Sequence, residues 1–307
     1  MDRANRMDCG RQLLKFCGPT GYAIQNLEQA QIFCQHYAGY NDPFEFWTKV
    51  LVGIPDPERE PERYLAALRT WGFYCDTVAE AMDNQIIQDS VAEYFDECQN
   101  YAPPFDEMRQ DVRIACFGSE RDNQLMWSHY ADGLRGFCIV FDEQLLATGK
   151  GDYVLDVAYT SAPPVVDSFI YGLAWDQDWY SHIAIEETTA RLRYEGKTEP
   201  FDEISMYEES GAEALRTMRD IWQQVFATKP VEWQYEHERR LLMQTDRSDT
   251  SPVLRPFGRE CIKELIVGER MPADYRHRLL ALMDEHYPEA RIMTARRAEG
   301  AYTLTIT

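Results

Sequence analysis

Negative charge gathers in two helix-patterned stretches of this chain, and that pattern limits the possible folds more than any other feature. From Asp56 to Asp111 there are 14 acidic and 4 basic residues, a net of −10. From Trp175 to Glu213 there are 11 and 3, a net of −8. The last 94 residues, from Ala214, hold 14 acids and 15 bases, so the formal charge of −21 over 307 residues lies mostly in the two stretches. In the first, Val78, Met82, Ile86, Ile87, Val91, Tyr94, Phe95 and Cys98 recur at the spacing of one helix face. Pro55, Pro57 and Pro61 mark its entry and Pro103-Pro104 its exit. In the second, Ile183–Tyr194 and Ala212–Phe226 carry helical spacing, split by Gly196 and Pro200. Such charged faces suit solvent, or a protein partner with a basic surface.

The intervening segments read as strands. Leu13–Cys17, Gln31–Cys34, Arg113–Gly118, Gly136–Phe141, Tyr153–Tyr159, Glu236–Gln244 and Ile262–Val267 are short apolar or alternating runs. Arg291–Arg297 and Ala301–Thr307 suit a hairpin around Glu299-Gly300. Pro272–His286 reads as a helix with Tyr275, Leu279, Leu282 and Met283 inward. The expectation is an α+β fold: a single domain, 1–307, with a mixed, mostly antiparallel sheet and acidic helical insertions at about 55–110 and 163–228.

Composition then removes several functions. No apolar run approaches the length needed to span a bilayer, and Met1–Gln12 lacks the apolar core of a secretion signal. The strong acidity disfavours extensive nucleic-acid binding, though a local basic pocket remains compatible with it. The eight cysteines, Cys9, Cys17, Cys34, Cys75, Cys98, Cys116, Cys138 and Cys261, are widely spaced with no CxxC. They read as reduced thiols of a cytoplasmic protein rather than zinc ligands. His237-Glu238 begins like a metalloprotease motif but lacks the second histidine, so no metal ligand is assigned.

Four segments could carry chemistry. Lys15 and Phe16 place a cation and a ring on the first strand. Asn41-Asp42-Pro43 favours a turn, because Asn and Asp bond their own backbone and Pro fixes the next dihedral. Trp127, Ser128, His129 and Tyr130 supply rings and polar tips for a flat ligand, or, as a plainer alternative, core packing. In Trp233–Arg240, a strand would put Glu236, Glu238 and Arg240 on one face. Two carboxylates and a guanidinium buried together need partners or a purpose. They suit either a salt-bridged edge strand or a cleft that binds ribose hydroxyls and stabilises an oxocarbenium-like state.

The order of these words resembles a bacterial family, DUF2971: Lys15-Phe16, Asn41-Asp42-Pro43-Phe44-Glu45, Cys116-Phe117-Gly118-Ser119, Trp127-Ser128-His129-Tyr130-Ala131, Gly136–Asp142, Lys229, Trp233-x-x-Glu236-x-Glu238-x-Arg240 and Lys263–Gly268. That layout in turn is similar to ADP-ribosyltransferases. The resemblance implies an ADP-ribosyltransferase-like fold and an NAD-using transferase or NAD glycohydrolase, as in bacterial conflict, toxin action or phage defence. It implies Glu236, Glu238 and His129 as catalytic, with Lys15, Phe16, Asn41, Trp127, Ser128, Tyr130 and Arg240 contacting NAD. Lys15 departs from the usual Arg or His of such enzymes, and Ser128 lies in a helix rather than at a strand start. Two other expectations stand beside this one. One is a non-catalytic acidic interaction or sensor subunit of a defence or toxin–antitoxin complex. The other is a metal-dependent hydrolase or nuclease using Asp42, Glu45, Glu236 and Glu238.

Overall fold

The computed structural model describes residues 11–95, 105–149, 152–196, 202–247 and 249–307. Cys9, Cys98, Pro103, Pro104 and Pro200 lie outside them. Strands are numbered in chain order: β1 (Gln12–Cys17), β2 (Gln31–Cys34), β3 (Lys49–Leu51), β4 (Val112–Phe117), β5 (Phe137–Asp142), β6 (Asp152–Asp156) and β7 (Ala158–Thr160). They continue with β8 (Val165–Asp167), β9 (Thr228–Pro230), β10 (Arg239–Gln244), β11 (Val253–Pro256), β12 (Ile262–Gly268), β13 (Arg291–Arg297) and β14 (Leu304–Ile306). The α+β class expected from the sequence is the one observed, and the contacts group into two compact units. The first holds the chain up to Phe46, Asp106–Ala162 and Ala227–Thr307; the second holds Trp47–Phe105 and Pro163–Phe226. Most of the two acidic stretches belongs to the second unit.

The first unit is built on a five-stranded sheet of order β1-β5-β12-β13-β14, antiparallel except for the β12/β13 pair. Alternating side chains divide its apolar content between two faces. Leu13, Phe137, Ile139, Phe141, Leu265 and Val267 pack on one side with Leu279, Leu282 and Met283 of the helix Ala273–His286. Leu14, Phe16, Cys138, Val140 and Ile266 pack on the other with Met126 and Trp127 of the helix Gln124–His129. Burial on both faces explains why β5 reads as an unbroken apolar run. Gly136 leads into β5 where a Cβ would stand 2.0 Å from the Cys17 carbonyl oxygen, so only glycine permits the approach.

A second sheet, β4-β10-β6, is antiparallel. It meets the first where Leu14 and Gly118 exchange backbone hydrogen bonds at 3.0 and 2.8 Å. Gln35 and Ile114 form a similar bridge just beyond β2, at 2.8 and 2.9 Å. β1 and the end of β4 therefore share one backbone bridge, with a cavity beside it. The stretch read as one strand, Tyr153–Tyr159, divides at Val157, whose amide bonds the Glu238 carbonyl instead of continuing the β10 ladder.

In the second unit, the helices Ser168–Tyr194 and Asp202–Phe226 are longer than the sequence periodicity indicated. Asp167 caps the first, accepting from the amides of Phe169 and Ile170. Arg63 donates to Asp167 at 2.5 Å, tying that start to the helix Pro61–Thr70. The single helix face expected over Val78–Cys98 is broken at Asn84, whose backbone amide donates to Ala81 O at the end of Val78–Asp83 and whose side chain caps Gln85–Ser90. The break turns Met82 and Ile86 outward, while Ile87 and Phe95 reach a core with Tyr64, Phe169 and Leu173.

Candidate active site

The segment Trp233–Arg240 does not run as one strand. Val231–Glu236 is a 3-10 turn, His237 is left-handed (φ 42°, ψ 49°), and β10 begins only at Arg239. The expected alternation of Glu236, Glu238 and Arg240 on one strand face is therefore corrected. The amide of His237 donates to Gln234 O, and the Tyr235 carbonyl accepts from the Asn123 side chain at 2.5 Å, which closes the turn. The left-handed residue reverses direction between the glutamates, and both side chains still turn inward, to 3% and 4% exposure.

There they join a line of alternating charge. Glu236 Oε2 accepts from Lys229 Nζ at 2.7 Å, and the same ammonium stands 2.6 Å from Glu238 Oε2. Glu238 Oε1 accepts from Arg240 Nε at 2.9 Å. Arg240 Nη1 and Nη2 grip Glu45 at 2.6 and 3.0 Å. The Asn41-Asp42-Pro43 turn delivers Glu45: Asp42 Oδ1 accepts from the Phe44 amide at 2.9 Å, the local bond expected of Asx residues. Three carboxylates share two cations, and all five side chains are buried.

The local field follows from that arrangement. Burial raises the Glu238 carboxyl, but Arg240 and Lys229 outweigh it and hold it at about 2. Burial would lower the Lys229 ammonium, yet Glu238 leads a set of anionic neighbours that raises it. Glu45 is raised by burial despite Arg240. Burial, with Glu238 nearby, pushes the Cys116 thiol up to about 12. Tyr130 donates its hydroxyl to Glu236 Oε1, and burial together with that bond raises the phenol.

Glu236 and Glu238 border a cavity of about 180 Å³ between the two sheets of the first unit. Leu14, Lys15 and Phe16 line it from β1, Cys116 and Phe117 from β4, Tyr40 and Asn41 from the loop after β2, and Tyr130 and Lys229 from the side of the glutamates. Lys15 Nζ donates to Cys116 O at 2.9 Å. Among the described residues no carboxylate pairs with it, which leaves ammonium donors for a ligand.

Of the residues singled out in the sequence, Lys15, Phe16, Asn41, Tyr130, Glu236 and Glu238 meet at this cavity. Arg240 sits behind Glu238 as a counter-ion that Glu238 shares with Glu45. Trp127 belongs to the core: it is 1% exposed, its Nε1 donates to Arg121 O at 2.7 Å, and its ring meets Phe16 edge-on at 5.5 Å. Ser128 and His129 are exposed and do not line the cavity; the His129 ring lies 5.9 Å from Tyr235. Asp42, Glu45, Glu236 and Glu238 are not gathered around a common point, since Arg240 and Lys229 stand between the three glutamates. Among the described residues no group of three His, Cys, Asp or Glu is placed to hold a metal. Sequence reasoning left Lys229, Tyr40 and Cys116 out of the site. The signal for Lys229 was charge balance: buried carboxylates that outnumber their guanidinium require a second cation.

Residues 126–241 match the family model described as "Protein of unknown function (DUF2971)". The matched segment contains Tyr130, Lys229, Glu236, Glu238 and Arg240, so the charged half of the cavity falls inside it. Lys15, Asn41, Glu45 and Cys116 lie before it. No match was found among curated proteins or among solved structures. Among the described residues no helix is long and apolar enough to cross a membrane.

Proposed function

We propose that this chain is an ADP-ribosyltransferase-like enzyme that cleaves NAD, of the kind used in bacterial conflict or phage defence. One observation carries the reading. Lys15, Asn41, Tyr130, Glu236 and Glu238, from four distant parts of the sequence, line a single small cavity. About 180 Å³ is below the roughly 300–1,000 Å³ of sites that enclose a whole small ligand. The cavity therefore suits one ring and its sugar edge, with the rest of a dinucleotide outside it. The donor set fits such an end: aromatic walls from Phe16 and Phe117, an ammonium from Lys15, amides from Asn41 and Gln35, and a carboxylate from Glu236.

The chemistry asked of these residues is modest. The bond between ribose C1′ and the ring nitrogen breaks, and its electron pair leaves with nicotinamide. An acceptor hydroxyl or water adds its lone pair to C1′ and loses its proton to solvent. Glu236, as a carboxylate, accepts a hydrogen bond from a ribose hydroxyl and stabilises the positive charge that develops at C1′. The low-dielectric surroundings of a buried glutamate strengthen that effect.

A second reading has its own observation. Glu236 and Glu238 are already compensated by Lys229 and Arg240, as a purely structural network in an acidic interaction protein would be. The deciding measurement is nicotinamide release from NAD by the purified chain, with and without cell lysate, for wild type and Glu236→Gln. Release that disappears in the variant supports the enzyme. Release only with lysate points to a macromolecular acceptor or activator. No release in either setting, with no rise in melting temperature on adding NAD, favours the interaction protein.

A further inference from the structure

We infer that Lys229 is a positioning residue that assigns different tasks to the two glutamates, leaving Glu236 to face the ligand and committing Glu238 to the frame. The inference rests on the NAD-cleaving reading for its kinetic consequences, but not for its geometry.

Both oxygens of Glu238 face cations, Oε1 toward Arg240 and Oε2 toward Lys229, and its own amide donates to Tyr159 Oη at 2.8 Å. A ligand hydroxyl would have to displace a buried charge to reach it. Among the described residues Glu236 has one charged partner, Lys229. Its Oε1 is held by Tyr130, a neutral phenol 38% exposed, which can turn aside and yield that oxygen to an incoming hydroxyl. Lys229 fixes the other oxygen from β9, whose backbone is paired with β7. The Trp233 ring, 5.1 Å from the ammonium, and Glu238 limit where it can go. Lys229 thus keeps Glu236 aimed at the cavity, and Glu238 with Arg240 keeps Lys229 in place.

The test uses the full-length chain as wild type, Lys229→Met, Lys229→Arg, Glu236→Gln and Glu238→Gln, assayed for NAD cleavage across pH and for thermal melting. Lys229→Met is expected to lower kcat by more than about tenfold, with KM for NAD changed by less than about threefold. Lys229→Arg restores most of the lost kcat. Glu238→Gln retains more activity than Glu236→Gln. A Lys229→Met variant with unchanged kcat, or a Glu238→Gln variant that melts like wild type yet is as inactive as Glu236→Gln, overturns the inference. If wild type cleaves no NAD, the enzymatic reading fails and melting decides the positioning role. Lys229→Met then loses more stability at about pH 8.5 than at about pH 6, because buried Glu238 keeps only one of its two cations, and adding Glu238→Gln recovers part of the loss. No recovery in that double variant overturns it.

Discussion

Replacing Arg240 with Met removes the guanidinium between Glu238 and Glu45 in the buried charge line while keeping much of its volume. Arg240 is 1% exposed and binds Glu238 and Glu45. The ordinary value for Glu238 is 4.5 and it is held at about 2. That difference corresponds to about 3 kcal/mol of stabilisation by its surroundings at neutral pH. Because the folded value is depressed, the contribution is complete above about 4.5 and fades as pH falls toward about 2. In the variant the sign reverses. Glu45 and Glu238 lie buried with less compensation, their carboxyl values rise, and the penalty grows as pH rises. Removing one partner of a buried pair costs about 3–5 kcal/mol. Urea unfolding, followed by tryptophan fluorescence, should show a loss of that size at about pH 8.5 and a loss at least about 1 kcal/mol smaller at about pH 6. Equal losses at both pH values, or a loss below about 1 kcal/mol at the higher one, would refute the claim that paired charge rather than packing sets the effect.

Two further expectations follow from local geometry. Gly136→Ala pushes a methyl group to 2.0 Å from the Cys17 carbonyl oxygen, so β1 must leave β5. The loss should exceed about 3 kcal/mol or yield insoluble protein, whereas Gly18→Ser, at an open position with ordinary backbone, should express as soluble folded protein. Burial raises the thiols of Cys17 and Cys34 to about 11 and Cys116 to about 12. Alkylation at about pH 8 with peptide mapping should leave those three unmodified until denaturant is added; rapid native labelling of Cys116 would contradict its placement.

Much of the scaffold was legible in the sequence because its signals are local. Alternation in Leu13–Cys17, the apolar run Phe137–Phe141 and the hairpin Arg291–Ile306 each correspond to an observed strand or pair. The readings that changed depended on single residues whose effect is not periodic. Asn84 ended one helix by capping the next, and His237 took a left-handed conformation that a run of charged residues does not announce. Of the site, Lys15, Asn41, Tyr130, Glu236 and Glu238 were found as chemistry-bearing words. Trp127 was misleading because a tryptophan that suits a ligand also suits a core, and its indole proton is taken by Arg121 O. Lys229 was visible in the same wording, but its importance comes from standing between two carboxylates seven and nine positions later, which only the turn at 231–237 brings back to it.

The interrupted course of the first unit bears on the protein's synthesis. Its three pieces are separated along the chain, and β1 finds its neighbour β5 only after Phe137 has emerged, while β12 waits until Ile262. Contacts of such long sequence separation form slowly. The buried charges Lys229, Glu236 and Glu238 are made long after Lys15, Asn41 and Tyr130. A nascent or prematurely terminated product that stops before Lys229 therefore holds Lys15 and Asn41 without the glutamates that complete the cavity.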